Sequence, residues 1–76
     1  MTLAEVREHL HVTPFRPLTL RLAGGRAHRV EHPDYLFVPP VGDLVMVVNQ
    51  GGGFHLLDIG QIEQIEVDRA RQMAAS

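Results

Sequence analysis

The chain has 76 residues, no cysteine and a formal charge of −2 at neutral pH, and this length allows one domain that buries only about 60% of the surface exposed by its unfolded chain. Because cysteine is absent, disulfides and thiolate–zinc sites are excluded as support for this small core, and self-association is expected to supplement it. The slight negative charge argues against a broad phosphate-binding surface. No apolar run approaches the ~20 residues that span a bilayer, so we expect a cytoplasmic protein without a membrane partner.

The first predicted element is a short amphipathic helix over about residues 2–11. Thr2 and Glu5 have the spacing of a capping box, in which hydroxyl and carboxylate accept hydrogen bonds from otherwise unpaired backbone amides. The apolar residues of the segment share one helical face. They are Leu3, Val6 and Leu10. The segment lacks a basic region followed by an apolar block, so we do not expect it to be a secretory signal.

Strand periodicity begins at residues 18–22, where leucine alternates with threonine and arginine. Gly24 and Gly25 predict a hairpin turn after this strand, because glycine readily adopts positive φ. The chain then returns through a strand over 26–38. This strand is expected to bend at Pro33, which has no amide to contribute to a continuous ladder.

The second half of the chain predicts three more strands. Residues 43–49 contain LVMVV, which is apolar on both faces, as in a strand that is central in a barrel or covered by another subunit. Three glycines at 51–53 predict a turn, followed by strands over 54–58 and 62–67 that are joined by one 3₁₀ turn. Residues 68–76 predict a polar tail or a short helix.

This order predicts a mainly β fold, in which the N-terminal helix precedes a small, strongly bent barrel of five strands. Residues 1–67 form its single domain. The expected core consists of apolar residues on one face of the helix and of each strand. Its members are Leu3, Val6, Leu10, Leu18, Leu20, Leu22, Val30, Leu36, Val38, Leu44, Met46, Val48, Phe54, Leu56, Ile62 and Ile65.

Two stretches carry a family resemblance. An alternating strand ends at a glycine turn in LTLRLAGG, residues 18–25, and apolar residues flank a tight turn in LLDIGQIEQI, residues 56–65. These stretches resemble the two sequence segments of the Sm-like (LSm) fold family, with Gly25 at the family's glycine position. The pattern is closest to that of small uncharacterised bacterial Sm-like proteins. The resemblance covers nearly the whole chain and implies a five-stranded SH3-like barrel that assembles into rings.

The RNA site of that family is not carried over to this chain. Archaeal and eukaryotic Sm proteins have an Arg-Gly pair where this sequence has Asp58 and Ile59. The bacterial Sm-like RNA chaperone has an aromatic-Lys-His triplet where this sequence has Asp58, Ile59 and Gly60. Since an acidic residue in place of a cation repels phosphate, the resemblance implies fold and ring assembly alone.

The five histidines suggest a metal site, but their predicted positions do not support one. His28 and His32 would lie about 13 Å apart on an unbent strand, too far to bind one ion unless the chain folds back sharply at Pro33. His55 has no evident second ligand nearby. The only serine is Ser76, and the acidic residues form no spaced pair. We therefore expect no metal, no cofactor and no catalytic residue, and hence no enzymatic activity.

Two functional hypotheses remain. The leading one is a structural or interaction module that forms homo-oligomers, because pairing of strand edges around a ring would leave no exposed edge. The residues that we expect at the subunit interface are Val45, Val47, His28 and His32.

The alternative hypothesis is binding of RNA or single-stranded nucleic acid by an Sm-like ring. Arg21 and Arg29 are expected to face each other across the predicted hairpin, and Arg26 lies at its tip. Tyr35 is the one aromatic residue that we expect to be exposed for stacking against a base. Basic residues on the polar face of a hairpin are more often simply solvated, so the sequence favours self-association.

Overall fold

The structure, a computed structural model, describes residues 1–68 and contains one α-helix and six strands. Helix α1 spans Leu3–Leu10. The strands in chain order are β1 Leu18–Leu22, β2 Ala27–Val30, β3 Leu36–Phe37, β4 Leu44–Val48, β5 Phe54–Asp58 and β6 Ile62–Val67. They form two antiparallel sheets, a first sheet with the order β2-β1-β6 and a second sheet with the order β3-β4-β5. The mainly β class is confirmed.

The predicted capping box is present at the start of α1. The Glu5 amide donates to Thr2 Oγ1 at 3.2 Å, and the Thr2 amide donates to Glu5 Oε1 at 2.7 Å. Val6 is fully buried in the core, so the helix covers the sheets with its apolar face. Arg7 also ties the helix to the segment after β3, because its guanidinium donates to the Pro39 carbonyl at 2.9 Å. None of the helices within residues 1–68 is long and apolar enough to cross a membrane.

The hairpin between β1 and β2 forms as predicted. Gly24 and Gly25 have φ values of +87° and +91°, a conformation that other residues rarely adopt. The Leu22 amide donates to the Arg26 carbonyl at 2.8 Å and closes the turn. The glycines therefore allow the sharp reversal that places β2 beside β1.

The predicted strand over 26–38 is divided into β2 and β3, which belong to different sheets. A single 3₁₀ turn over Pro33–Tyr35 separates them, and the Tyr35 amide donates to the His32 carbonyl at 3.1 Å. The predicted bend at Pro33 is thus confirmed. The prediction of five strands in one barrel is not confirmed, since the described residues form six strands in two three-stranded sheets. The predicted tail or helix over 68–76 lies outside the described residues except for Asp68.

The core lies between the two sheets and under the helix. Most of the predicted core residues of the first sheet are buried as expected. The buried hydrophobic residues are Val6, Leu18, Leu20, Leu22, Val30, Leu36, Val45, Val47, Leu57 and Ile62. Partly buried side chains that pack against them include Leu3, Leu10, Val38 and Ile65.

The sequence-based prediction of which side of β4 and β5 packs in the core is wrong. Val45 and Val47 are core residues, each 1% exposed, whereas Leu44 and Leu56 lie on the opposite face. The physical reason is that all five residues of β4 are apolar, so alternation could not specify its inner face, and a one-residue shift inverts a whole strand. Val45 pairs with Leu57 across the ladder, and β5 is inverted together with β4. The two valines therefore do not form the outward-facing subunit interface that the sequence predicted.

Candidate functional site: an apolar sheet face and a histidine pair

The outer face of the second sheet is an apolar surface. The ladder places Phe37, Met46 and Leu56 in one row across the three strands, and the next row contains Val48 and Phe54. Phe37, Phe54 and Leu56 are 56%, 60% and 61% exposed. The residues of this surface, which we call the apolar face, are Phe37, Leu44, Met46, Val48, Phe54 and Leu56.

The apolar face is comparable in area with the largest apolar patch of a typical monomer. A phenylalanine side chain offers about 150–250 Å² of surface, so the face exposes on the order of 500 Å² of contiguous apolar area. The largest such patch on a typical monomer is about 300–600 Å² and is often an interaction site. The only carboxylate in these strands is that of Asp58, opposite Leu44 at one end, and it accepts a hydrogen bond from the Gly60 amide at 2.8 Å. The face is therefore apolar across its centre and suited to an apolar partner surface.

The outer face of the first sheet carries ion pairs instead. Arg21 Nε lies 2.9 Å from Glu66 Oε1. Arg29 donates to Glu31 at 2.7 Å and makes a two-pronged contact with the Asp68 carboxylate, with Nη1 donating to Oδ1 at 2.8 Å. The hydrogen bonds that Arg29 donates to the Asp68 carboxylate, and then those it donates to Glu31, raise the pKa of Arg29. Two of the three hairpin arginines are thus neutralised by neighbouring carboxylates.

The structure does not assemble the predicted basic ribbon. In the ladder, Arg21 lies opposite Ala27 and Arg29 lies opposite Thr19, so the two arginines do not face each other as expected. Arg26 is exposed beside the turn, as predicted. Tyr35 is partly buried and packs edge-on against His32, with ring centroids 5.7 Å apart. Of the residues predicted to contact a nucleic acid, Arg26 is the one arginine without an ion pair in residues 1–68, and the exposed aromatic rings, Phe37 and Phe54, lie on the second sheet.

The predicted interface histidines lie in different environments. His32 is exposed at the bend, and its place at a subunit interface stays a prediction. His28 is partly buried on the inner face of β2, opposite Leu20, and contacts His55 of β5. The sequence contains no sign of this contact, because His28 and His55 belong to different sheets and no spacing along the chain encodes how two sheets pack.

The histidine pair lies beside an open cleft of about 370 Å³. His28 and Asn49 are among the residues that line this cleft. Within residues 1–68, no group of three or more histidine or carboxylate side chains converges as a closed metal site would require. The polar lining of the cleft thus includes the His28 imidazole, the Asn49 amide and the side chains of Arg29 and Glu31.

A functional assignment for this chain depends on the chemistry of the apolar face and of the histidine pair. No family model matches the chain, and neither a curated protein nor a solved structure matches it significantly. Of the two surfaces, the apolar face is the larger, and the histidine pair is the one with ligand-binding atoms.

Proposed function

We propose that the protein is a small self-associating Sm-like module, in which the apolar face is the contact between copies. The observation that carries this proposal is the continuous apolar row of Phe37, Met46 and Leu56 on the outside of a sheet whose inside already packs in the core. Such a sheet is covered on both faces when a second sheet packs against it at about 10 Å.

The area of the apolar face fits a second copy of the chain. When two such faces pair about a two-fold axis, they bury on the order of 1,000 Å² in total, which is near the lower limit for a specific protein interface. The face has no charged side chain at its centre that would select a charged partner. A self-complementary apolar contact of this size is expected to be of moderate affinity and to form at micromolar concentrations.

The position of β5 supports the same partner. It is an edge strand of the second sheet and carries Phe54 and Leu56. An edge strand presents backbone amides and carbonyls that pair with another strand. A copy that approaches this edge also approaches the apolar face, because Phe54 and Leu56 lie on the same strand.

The test is a matched pair of apolar-to-charged substitutions. Leu56→Glu places a charge on the apolar face beside Met46, whereas Val12→Glu places one at an exposed apolar position in the loop after α1. By sedimentation velocity, we expect Leu56→Glu to be monomeric and Val12→Glu to associate like the unsubstituted chain. An unchanged association of Leu56→Glu, with its circular dichroism spectrum also unchanged, would overturn the proposed contact.

We do not propose nucleic-acid binding as the principal role, because carboxylates occupy Arg21 and Arg29. Electrostatic binding to phosphate would have to displace these ion pairs. Titration of a single-stranded oligonucleotide at about 50 mM salt, where phosphate contacts are strong, tests this directly. We expect no binding, and a steep salt dependence of any observed affinity would reinstate the alternative.

A further inference from the structure

The two sheets bring one imidazole each to a common point. His28 lies on the inner face of β2, and His55 lies on the face of β5 that it shares with the buried Leu57. Their ring centroids are 4.7 Å apart, and the ring planes are inclined by 48°. Because β2 and β5 are edge strands of different sheets, this contact lies at the seam where the sheets meet.

One nitrogen of this pair has no partner. His28 Nε2 is buried and makes no hydrogen bond, which is uncommon because buried polar atoms are nearly always paired. An unpaired, buried imidazole nitrogen next to a second imidazole is the arrangement expected of ligands that share an ion. We propose that His28 Nε2 and one ring nitrogen of His55 bind a divalent transition-metal ion, with Cu²⁺, Ni²⁺ or Zn²⁺ as the matching class.

The separation of the rings fits this proposal. An imidazole nitrogen binds Zn²⁺ at about 2.0–2.1 Å, which places each ring centroid about 3.2 Å from the ion and, at a tetrahedral angle, the two centroids about 5 Å apart. The observed 4.7 Å is close to that value. The separation of the ring centroids therefore matches that of two imidazoles that share one ion.

Asn49 is placed to orient one of the rings. Its side-chain amide lies 3.2 Å from Nε2 of His55. Since the oxygen and nitrogen of an asparagine amide exchange places by a flip, Asn49 Oδ1 can accept a hydrogen bond from the Nε2–H of His55 and leave Nδ1 for the metal. The Asn49 amide also receives support from the turn, where the Asn49 backbone donates to the Gly53 carbonyl at 2.7 Å.

The electrostatic setting keeps His28 in the form that binds metals. Burial first, and then the charges of His55 and Arg26, lower the pKa of His28. The imidazole is consequently neutral at pH 7, as a metal ligand must be. Arg26 works against a bound cation, and Glu31 nearby is engaged by Arg29. With two protein ligands and an open cleft, water completes the coordination, so the site is an exchangeable one.

The experiment is calorimetric titration of the chelator-treated full chain with CuCl₂, NiCl₂ and ZnCl₂ near pH 7.5. We expect one equivalent of metal per chain, with Cu²⁺ bound most tightly, as the general order for divalent ions predicts. His55→Ala, at an exposed position, should abolish saturable binding, and Asn49→Ala should weaken it by about 10–100-fold, as is typical when a ligand's supporting hydrogen bond is lost. His28→Gln removes the buried imidazole, and its titration tests whether His28 is required for metal binding.

Surface histidines provide the control. His11→Ala and His32→Ala remove exposed imidazoles outside the pair, and we expect each to bind one equivalent with unchanged affinity. Leu56→Glu should also bind normally, since the pair is independent of the apolar face. The absence of metal binding to the unsubstituted chain would overturn the proposal. Binding that survives His55→Ala would also overturn it, because the two rings would then be a packing contact and other histidines would be the ligands of the metal.

Discussion

Individual charges on the first sheet are matched by neighbours on the same face. Arg29 contacts both Glu31 and Asp68, and Arg21 contacts Glu66. Exposed pairs of this kind contribute little to the free energy of unfolding, about 0–1 kcal/mol each. These ion pairs matter for nucleic-acid binding, because they leave little local excess of positive charge on the surface where Arg21 and Arg29 were expected to contact phosphate. His28 is the contrasting residue, since it lacks a partner for a buried nitrogen.

His28 makes stability depend on pH. Its pKa in the folded chain lies below the ordinary value of 6.5, through burial first and then through His55 and Arg26. The unfolded chain therefore takes up the proton first as the pH falls. The stability due to neutral His28 is complete above pH 6.5, is lost as the pH falls from there to the folded pKa, and is constant below it. Urea unfolding with chelator present, between about pH 5 and about pH 8, should show this decrease.

The matched variants for this pH dependence are His28→Gln and His11→Ala. His28→Gln cannot take up the proton, so its stability should fall less over the same interval. His11→Ala, at an exposed position, should keep the slope of the unsubstituted chain. Equal slopes for His28→Gln and the unsubstituted chain would show that His28 is not the titrating group.

At the scale of single elements, local chemistry specified most of the first half of the fold. The capping box of Thr2 and Glu5, the alternating leucines of β1 and the glycine turn each depend on neighbours in sequence, and all three form as predicted. The inner face of β4 could not be predicted in this way. The segment LVMVV contains no polar residue that would identify the solvent-exposed side of β4. Because Val45 pairs with Leu57, the buried side of β5 depends on that of β4 and could not be predicted either.

The contact of His28 with His55 was also beyond sequence reasoning, but for a different reason. It depends on how two edge strands from separate sheets approach each other, and 26 positions of chain lie between the two residues. Pro33 indicated that the chain would bend, but not the direction of the bend. The sequence thus predicts that the chain bends between β2 and β3, but it does not predict which strands of the two sheets meet there.

The β1–β2 hairpin provides a prediction at this scale. Gly24 has φ +87°, so Gly24→Ala should destabilise the chain by about 1–2 kcal/mol through backbone strain, although the added methyl meets open space. Gly51→Ala is the matched control, because Gly51 is also in an open turn but does not have positive φ. Chemical denaturation of both variants measures the difference. Equal stabilities of the two would refute the requirement for a glycine at the hairpin.

The facing of β5 provides a second prediction, from two adjacent leucines. Leu57 is buried and Leu56 is exposed. Leu57→Ala should lower the free energy of unfolding by about 2–5 kcal/mol, because it leaves a cavity in the core. Leu56→Ala should change the free energy by less than about 0.5 kcal/mol in dilute, dissociated protein. Urea denaturation at low protein concentration separates the two, and a larger loss for Leu56→Ala would mean that β5 faces the other way.

At the scale of the whole molecule, the two sheets have different outer surfaces. The first sheet presents ion pairs to solvent, and the second presents the apolar face. A small chain without disulfides has a limited core, and burial of the apolar face between copies would add to it. The polar first sheet would then form the exterior of the assembly. The histidine pair lies at the seam between the sheets, so metal binding and self-association are separable.

Sedimentation velocity of the unsubstituted chain over a range of concentrations is the most direct test of self-association. The contact of about 1,000 Å² predicts an average mass that rises from that of one chain to at least twice that mass as the concentration passes through the micromolar range. The rise should persist in chelator, because the apolar face has no metal ligand. A single monomeric species up to about 100 µM would contradict the proposal that this protein functions by self-association.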